Sequence, residues 1–122
     1  MLMARMDARL ILQVLFNLID NAAKHTPAGS TITVRAARTD GRIAISVIDD
    51  GPGVPDAHKS EGFEMFYTTS AGSIDGRRGL GLGLALCKAI VSAHGGEITL
   101  TDQTPHGAVF TFTLTEERID LP

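Results

Sequence analysis

The stretch Thr31-Ile-Thr-Val-Arg-Ala-Ala-Arg-Thr-Asp-Gly-Arg-Ile-Ala-Ile-Ser-Val-Ile-Asp-Asp-Gly-Pro-Gly53 decides the fold. Its first part, Thr31 to Arg38, alternates: Ile32, Val34 and Ala36 face one way, Thr33 and Arg35 the other, which is the period of a strand with one covered face. Asp40-Gly41 is a hairpin signal, because the tight turns that match strand twist need positive φ. Arg42 to Asp49 is the returning strand. Asp50-Gly-Pro-Gly-Val-Pro55 then leaves the sheet through pure loop residues.

On the N-terminal side, Asp7 is a candidate helix N-cap, able to accept from unpaired first-turn amides. After it, Leu10, Ile11, Val14, Leu15, Leu18, Ile19 and Ala22 recur at helical spacing. This helix is expected to end before Pro27, since the residue preceding proline disfavours the helical region. On the C-terminal side a short helix is expected around Ala57 to Phe66. Residues 67–78 are polar, small and glycine-bearing, without periodicity, and long for an ordinary connection; such loops are usually functional. From Gly83 the spacing of Leu86, Cys87, Ile90, Val91 and His94 is helical again, and Gly95-Gly96 supplies the stop. Glu97 to Thr101 and Ala108 to Thr115 read as a second strand pair. This order implies an α/β fold, a two-layer sandwich of a mixed, mostly antiparallel sheet with about three helices packed on one face.

At 122 residues the chain is one domain with one core. Its 43% apolar and 20% charged content excludes disorder and collagen-like repeats. No apolar run approaches the ~20 residues that span a bilayer, and Met1 to Met6 lacks the apolar centre of a signal peptide. One cysteine excludes a disulfide framework and an all-cysteine zinc site. A net charge of −3 with scattered signs argues against a nucleic-acid partner.

Three clusters carry chemistry. At about 100° per residue, Asn17, Asn21 and Lys24 fall within roughly a 60° arc of the first helix. Asn21 lies angularly between the apolar Leu10 and Val14, so its amide is half-buried and needs a partner. Amide oxygens suit a hard cation such as Mg²⁺, and lysine suits phosphate as a point charge. The second cluster, Asp49-Asp-Gly51-Pro-Gly53, ends a strand where glycines let a ligand approach the backbone. The third, Gly79-Leu-Gly81-Leu-Gly83-Leu84, opens a helix whose exposed amides could hold an anion. It is neither a dinucleotide fingerprint nor a P-loop, because Leu84 replaces the last glycine of the former and no Gly-Lys dipeptide occurs. Taken singly, each also fits a structural role: an asparagine bonded to backbone, a tight turn, a closely packed helix start.

In this order, the three are specific. Leu15-Phe-Asn17-Leu-Ile-Asp-Asn21-Ala-Ala-Lys24-His25-Thr resembles the N box of sensor histidine kinases, Asp49-Asp-Gly51-Pro-Gly53 their G1 box, Phe63-Glu-Met-Phe66-Tyr their F box, and Gly79 to Leu84 their G2 box. From about Asp7 to Leu114 the chain is similar to the catalytic, ATP-binding domain of these two-component kinases, in the Bergerat-fold superfamily. The runs Leu82 to Lys88, Ala93 to Gly96 and Pro105 to Phe112 most resemble Kdp-type potassium-response kinases.

The resemblance implies ATP and Mg²⁺ as ligands, with Asn21 holding the metal and Asn17 ordering the phosphate side. It implies that Lys24 contacts phosphate and that His25 lies beside adenine or ribose. Asp49 would accept from the adenine amino group, in a pocket shaped by Gly51 and Gly53 and bordered by Phe66. Gly79, Gly81 and Gly83 would lie under the phosphates, with Leu84 closing the box. Residues 67–78 would be the ATP lid, with Arg77 and Arg78 as candidate γ-phosphate contacts. Two departures stand out: Gly62 where the family usually has isoleucine, and Thr68 where many members carry arginine.

As a protein-histidine kinase domain, the chain is expected to transfer the γ-phosphoryl group to a histidine on a separate dimerisation domain, for relay to a response regulator. No such acceptor segment precedes Asp7, so residues 1–122 read as one domain of a longer, homodimeric, membrane-anchored protein. The isolated domain is expected to be monomeric and cytoplasmic. Two other classes compete. A gyrase- or Hsp90-like ATPase would carry a glutamate general base at the position of Asn17, and an asparagine amide takes no proton at neutral pH. A non-enzymatic nucleotide-sensing module is the other.

Overall fold

The computed structural model describes residues 2–53 and 78–117. Helix α1 spans Ala8–His25, strands β1 and β2 span Ile32–Thr39 and Arg42–Asp49, helix α2 spans Arg78–Ala93, and strands β3 and β4 span Ile98–Asp102 and Ala108–Thr115. The Asp7 carboxylate accepts from the Leu10 amide at 3.2 Å, the N-cap the sequence implied. At the other end the Thr26 hydroxyl donates to the Ala22 carbonyl at 2.9 Å, and the chain turns extended into Pro27.

The sheet order is β1-β2-β4-β3, and every pairing is antiparallel. A mixed sheet was expected; the described strands form an unmixed one, because each sequential pair closes as a hairpin and the two hairpins meet along β2 and β4. Thr39 pairs with Arg42 across a turn in which Asp40 and Gly41 both have positive φ, as the dipeptide predicts. The third expected helix, around residues 57–66, lies outside the described residues, which hold two helices.

One face of the sheet carries both helices. Val47 of β2 and Phe110, Phe112 and Leu114 of β4 meet Ile11, Val14, Leu18 and Ala22 of α1, and Leu84, Cys87, Ile90 and Val91 of α2. Burying each large apolar side chain of this set contributes about 1.5–3 kcal/mol. The cover does not extend over β1, an edge strand exposed along nearly its whole length, so its alternation does not translate into burial: Val34 is 50% exposed.

The two helices run antiparallel, and their contacts show it in order. His94 meets Asp7, the Cys87 thiol approaches the Val14 carbonyl at 3.8 Å, and a methyl on Gly83 would stand 3.8 Å from Asn17 Cγ. His94 ties one end of the pair: its Nδ1 lies 2.8 Å from the Ile90 carbonyl, and its Nε2 accepts from the Asp7 amide at 3.1 Å. A carbonyl can only accept, so the hydrogen sits on Nδ1. This histidine is structural.

Helix α2 begins at Arg78, five positions before the start read from the sequence. Glycine costs about 1 kcal/mol against alanine inside a helix, so Gly79, Gly81 and Gly83 look like loop. The buried anchors Leu84, Cys87 and Val91 outweigh that local preference.

Candidate functional site

The stripe Asn17, Asn21 and Lys24 lies on the part of α1 that adjoins the start of α2. Asn17 and Asn21 are half-buried and Lys24 is exposed. The carbonyl oxygen of Asn21 is buried and, among the described residues, has no hydrogen-bond partner. A buried acceptor left unpaired costs about 1–3 kcal/mol. An amide oxygen is a hard ligand of the kind Mg²⁺ takes, so the atom fits the metal the sequence implied. No group of three His, Cys, Asp or Glu side chains among the described residues could hold a metal. A cation here would therefore rest on this single amide oxygen together with oxygens from a ligand and water, which is the usual habit of Mg²⁺.

Lys24 does not reach freely into solvent. Its ammonium lies 3.0 Å from Asp20, one turn earlier. Both partners are exposed, so the pair contributes little to stability and an incoming phosphate could displace the carboxylate. The i,i+4 spacing of Asp20 and Lys24 is readable in the sequence.

Gly83 stands against Asn17, and Gly79 lies one turn nearer the start of α2. Gly79 is the second residue of α2 and falls among the first-turn amides that have no intrahelical carbonyl to bond. Gly81 and Gly83 are the fourth and sixth residues of the helix, so their amides belong to the helical ladder, as that of Ile11, the fourth residue of α1, does; the expectation of three free glycine amides is corrected to one. Leu84 is 3% exposed and its side chain belongs to the core, not to the site. Asn17 also borders Cys87: burial pushes this thiol up to about 11, an effect the Asn17 side chain partly offsets.

Asp49 ends β2 and is 6% exposed. Its Oδ1 accepts from the amides of Gly51 at 2.9 Å and Ala108 at 3.3 Å. Among the described residues no donor reaches Oδ2, which leaves one carboxylate oxygen for a ligand donor. Gly51 brings this turn against the end of α1: a methyl there would stand 2.5 Å from Thr26 Cγ2 and 3.2 Å from Asp49 Oδ1. Gly107 brings in β4, since a methyl on it would stand 2.0 Å from the Asp49 carbonyl oxygen at φ +121. Asp50 turns away and accepts from the Thr31 amide at 2.9 Å. The acidic pair thus divides into one buried carboxylate with a spare oxygen and one loop-bracing carboxylate.

A shallow groove of about 480 Å³ lies beyond this turn, between Pro52-Gly53 and the β3–β4 loop at Asp102, Gln103, Pro105, His106 and Gly107. Neither Asp49 nor the asparagine stripe lines it. Of the remaining expected site residues, Phe66 and Arg77, with most of the 67–78 lid, lie outside the described residues, as do the side chains of His25 and Arg78. Sequence reasoning missed the contribution of Gly107, Ala108 and His106, which adjoin Asp49 only through the pairing of β2 with β4.

Comparison with known proteins shows the family and the fold. Residues 6–118 match the family described as histidine kinase-, DNA gyrase B- and HSP90-like ATPase. The sensor protein KdpD of Clostridium acetobutylicum is 41% identical over 116 residues, covering 95% of this chain and 13% of that protein. The chain thus spans a small part of the length of this relative. Among solved structures, the mycobacterial sensor histidine kinase MprB superposes with a TM-score of 0.83 at 29% identity, over 97% of this chain and 80% of that one. The histidine kinase ThkA in complex with the response regulator protein TrrA gives a TM-score of 0.70 at 30% identity, over 88% of this chain and 28% of that one. With helices on one face of an antiparallel sheet, a buried amide oxygen on the first that is unpaired among the described residues and Gly79 in the first turn of the second, the chain belongs to the histidine kinase-type ATPase family, as the catalytic domain of sensor kinases does.

Proposed function

We propose that this chain is the catalytic domain of a sensor histidine kinase, binding Mg–ATP between the C-terminal half of α1, the end of β2 and the first turn of α2. The observation that carries the reading is the buried Asn21 oxygen, which has no partner among the described residues and whose cost makes sense when a cation completes it. Asn21 would hold Mg²⁺, and Asn17 would order the phosphates. Lys24, released from Asp20, would pair with phosphate alongside the amide of Gly79, with Gly81 lying beneath it. Asp49 would receive the adenine amino group on Oδ2, since an ionised carboxylate only accepts and guanine presents a carbonyl there instead. Gly51 and Gly53 shape that pocket. His25, Phe66, Arg77, Arg78 and Gly83 complete the proposed contacts. The metal, when bound, neutralises charge on the β- and γ-phosphate oxygens.

The γ-phosphoryl group would leave the β-phosphate oxygen of ATP and bond to an imidazole nitrogen of a histidine on another domain of the parent protein. ADP would remain in the site, and the phosphoryl group would pass on to a response regulator aspartate. Asn17 favours transfer over hydrolysis because its amide cannot take a proton from water. The complex of ThkA with TrrA supports the regulator as partner. No described helix is long and apolar enough to cross a membrane; membrane anchoring through other parts of a longer protein, with this domain in the cytoplasm, is part of the proposal.

Incubation with Mg–ATP and a separately supplied dimerisation domain from a KdpD relative tests this. Acid-labile phosphohistidine on the added domain, with slow phosphate release, is expected. Phosphate release above about 1 s⁻¹, within the usual enzyme range, without phosphohistidine would replace this reading by that of a gyrase- or Hsp90-like ATPase.

A further inference from the structure

We propose that His106 is a positioning residue for the base pocket, holding Asp49 in its adenine-accepting orientation through the backbone of Gly51. The proposal rests on the reading of Asp49 as the base-binding carboxylate. The β3–β4 loop closes on itself where the Gln103 amide donates to the Gly107 carbonyl at 3.1 Å. Gly107 then lies so close to the Asp49 main chain that no side chain fits between them. From this fixed loop the His106 ring reaches the Gly51 carbonyl, with Nδ1 2.9 Å from the oxygen. That oxygen can only accept, so Nδ1 carries the hydrogen.

Gly51 is therefore gripped on both sides of its α-carbon. Its amide donates to Asp49 Oδ1 at 2.9 Å, and its carbonyl accepts from His106. The two bonds matter because a glycine has no side chain to restrict φ and ψ. With the carbonyl held, the amide is aimed at Oδ1. With Oδ1 bonded there and to the Ala108 amide at 3.3 Å, the carboxylate cannot turn, and Oδ2 faces the ligand. Without the imidazole bond, Gly51 can rotate and Asp49 loses one of the two donors that set its rotamer. ATP should feel this through the adenine bond, whereas GTP, which does not use an acceptor at that point, should not.

Titration calorimetry with Mg–ATP and Mg–GTP on the 122-residue chain tests this. His106→Ala is expected to weaken ATP about three- to tenfold, the equivalent of one neutral hydrogen bond, and to leave GTP within about twofold. His106→Asn should restore ATP, because its amide N–H stands about where Nδ1 does. In an Asp49→Ala background His106→Ala should have no further effect, since the two act through one bond chain. Equal weakening of ATP and GTP, losses that add to that of Asp49→Ala, or failure of His106→Asn to restore binding would each overturn the proposal. If Asp49→Ala alone leaves the ATP-over-GTP preference intact, the base-pocket reading itself is wrong and His106 falls with it. If Asp49→Ala abolishes the preference while His106→Ala does not change it, only the positioning role fails.

Discussion

Replacing Asn21 by leucine should make the unliganded protein more stable and unable to use Mg²⁺. The Asn21 oxygen is buried without a partner among the described residues, a debt of about 1–3 kcal/mol. Leucine removes the polar atom, is the better helix former by a few tenths of a kcal/mol, and has room on the solvent side of a half-buried position. The unliganded Asn21→Leu protein is therefore expected to gain about 1–2 kcal/mol of unfolding free energy, or roughly 3–8 °C in Tm for a domain of this size. Saturating Mg–ATP should invert the order. At a hundred times Kd a ligand adds about 2.7 kcal/mol to the parent, while the variant gains only from whatever binding survives without the metal. Thermal unfolding with and without Mg–ATP, together with ATP titrations in Mg²⁺ and in EDTA, reads both effects. A variant less stable than the parent without ligand would show that the unpaired oxygen stores no cost. A Mg²⁺-dependent increment that survives would show that the metal is held elsewhere.

Two further outcomes follow from the helix pair. Gly83→Ala should raise stability by about 0.5–1 kcal/mol by removing a helical glycine, since the new methyl meets Asn17 only at ordinary contact, 3.8 Å from Cγ. The same methyl stands beside the Asn17 amide and should weaken ATP severalfold; unchanged affinity in calorimetry would remove Gly83 from the phosphate site. Cys87 is fully buried, and its thiol is pushed up to about 11 from 9.0 by burial. A raised folded-state value means the protonated thiol supports the fold fully below about pH 9, and this support is lost as pH rises toward about 11, at roughly 1.4 kcal/mol per pH unit. Urea midpoints at stepped pH should fall faster for the parent than for Cys87→Ala over that window; parallel curves would contradict the assignment.

How far the sequence carried depended on whether a feature was local. The α1 cap at Asp7, its stop before Pro27 and the Asp40-Gly41 turn use only neighbouring residues, and all three stand as read. The strands agree within a residue at each end. The start of α2 was misjudged because Gly79, Gly81 and Gly83 vote for loop locally, and the packing that overrides them involves residues of α1 more than sixty positions away. The exposure of Val34 was hidden for a related reason: alternation says that a strand has two faces, not that a helix will cover one. At the candidate site, Asn21's need for a partner was legible from its angle on the helix. The second grip on Asp49, from Ala108, Gly107 and His106, required knowing that β4 lies beside β2.

The His94 tie joins α1 to α2 at the end remote from the proposed ligands. Since α1 has 18 residues, rising about 1.5 Å each, the tie and the asparagine stripe are separated by most of a rod about 27 Å long. Such an arrangement has the mechanics of tongs. A tilt of about 5° at the imidazole fulcrum opens or closes the far ends by about 2 Å, comparable to the span of a metal–oxygen bond, while barely disturbing the packing beside His94. The jaws of this instrument are Asn21 on one arm and Gly79 on the other.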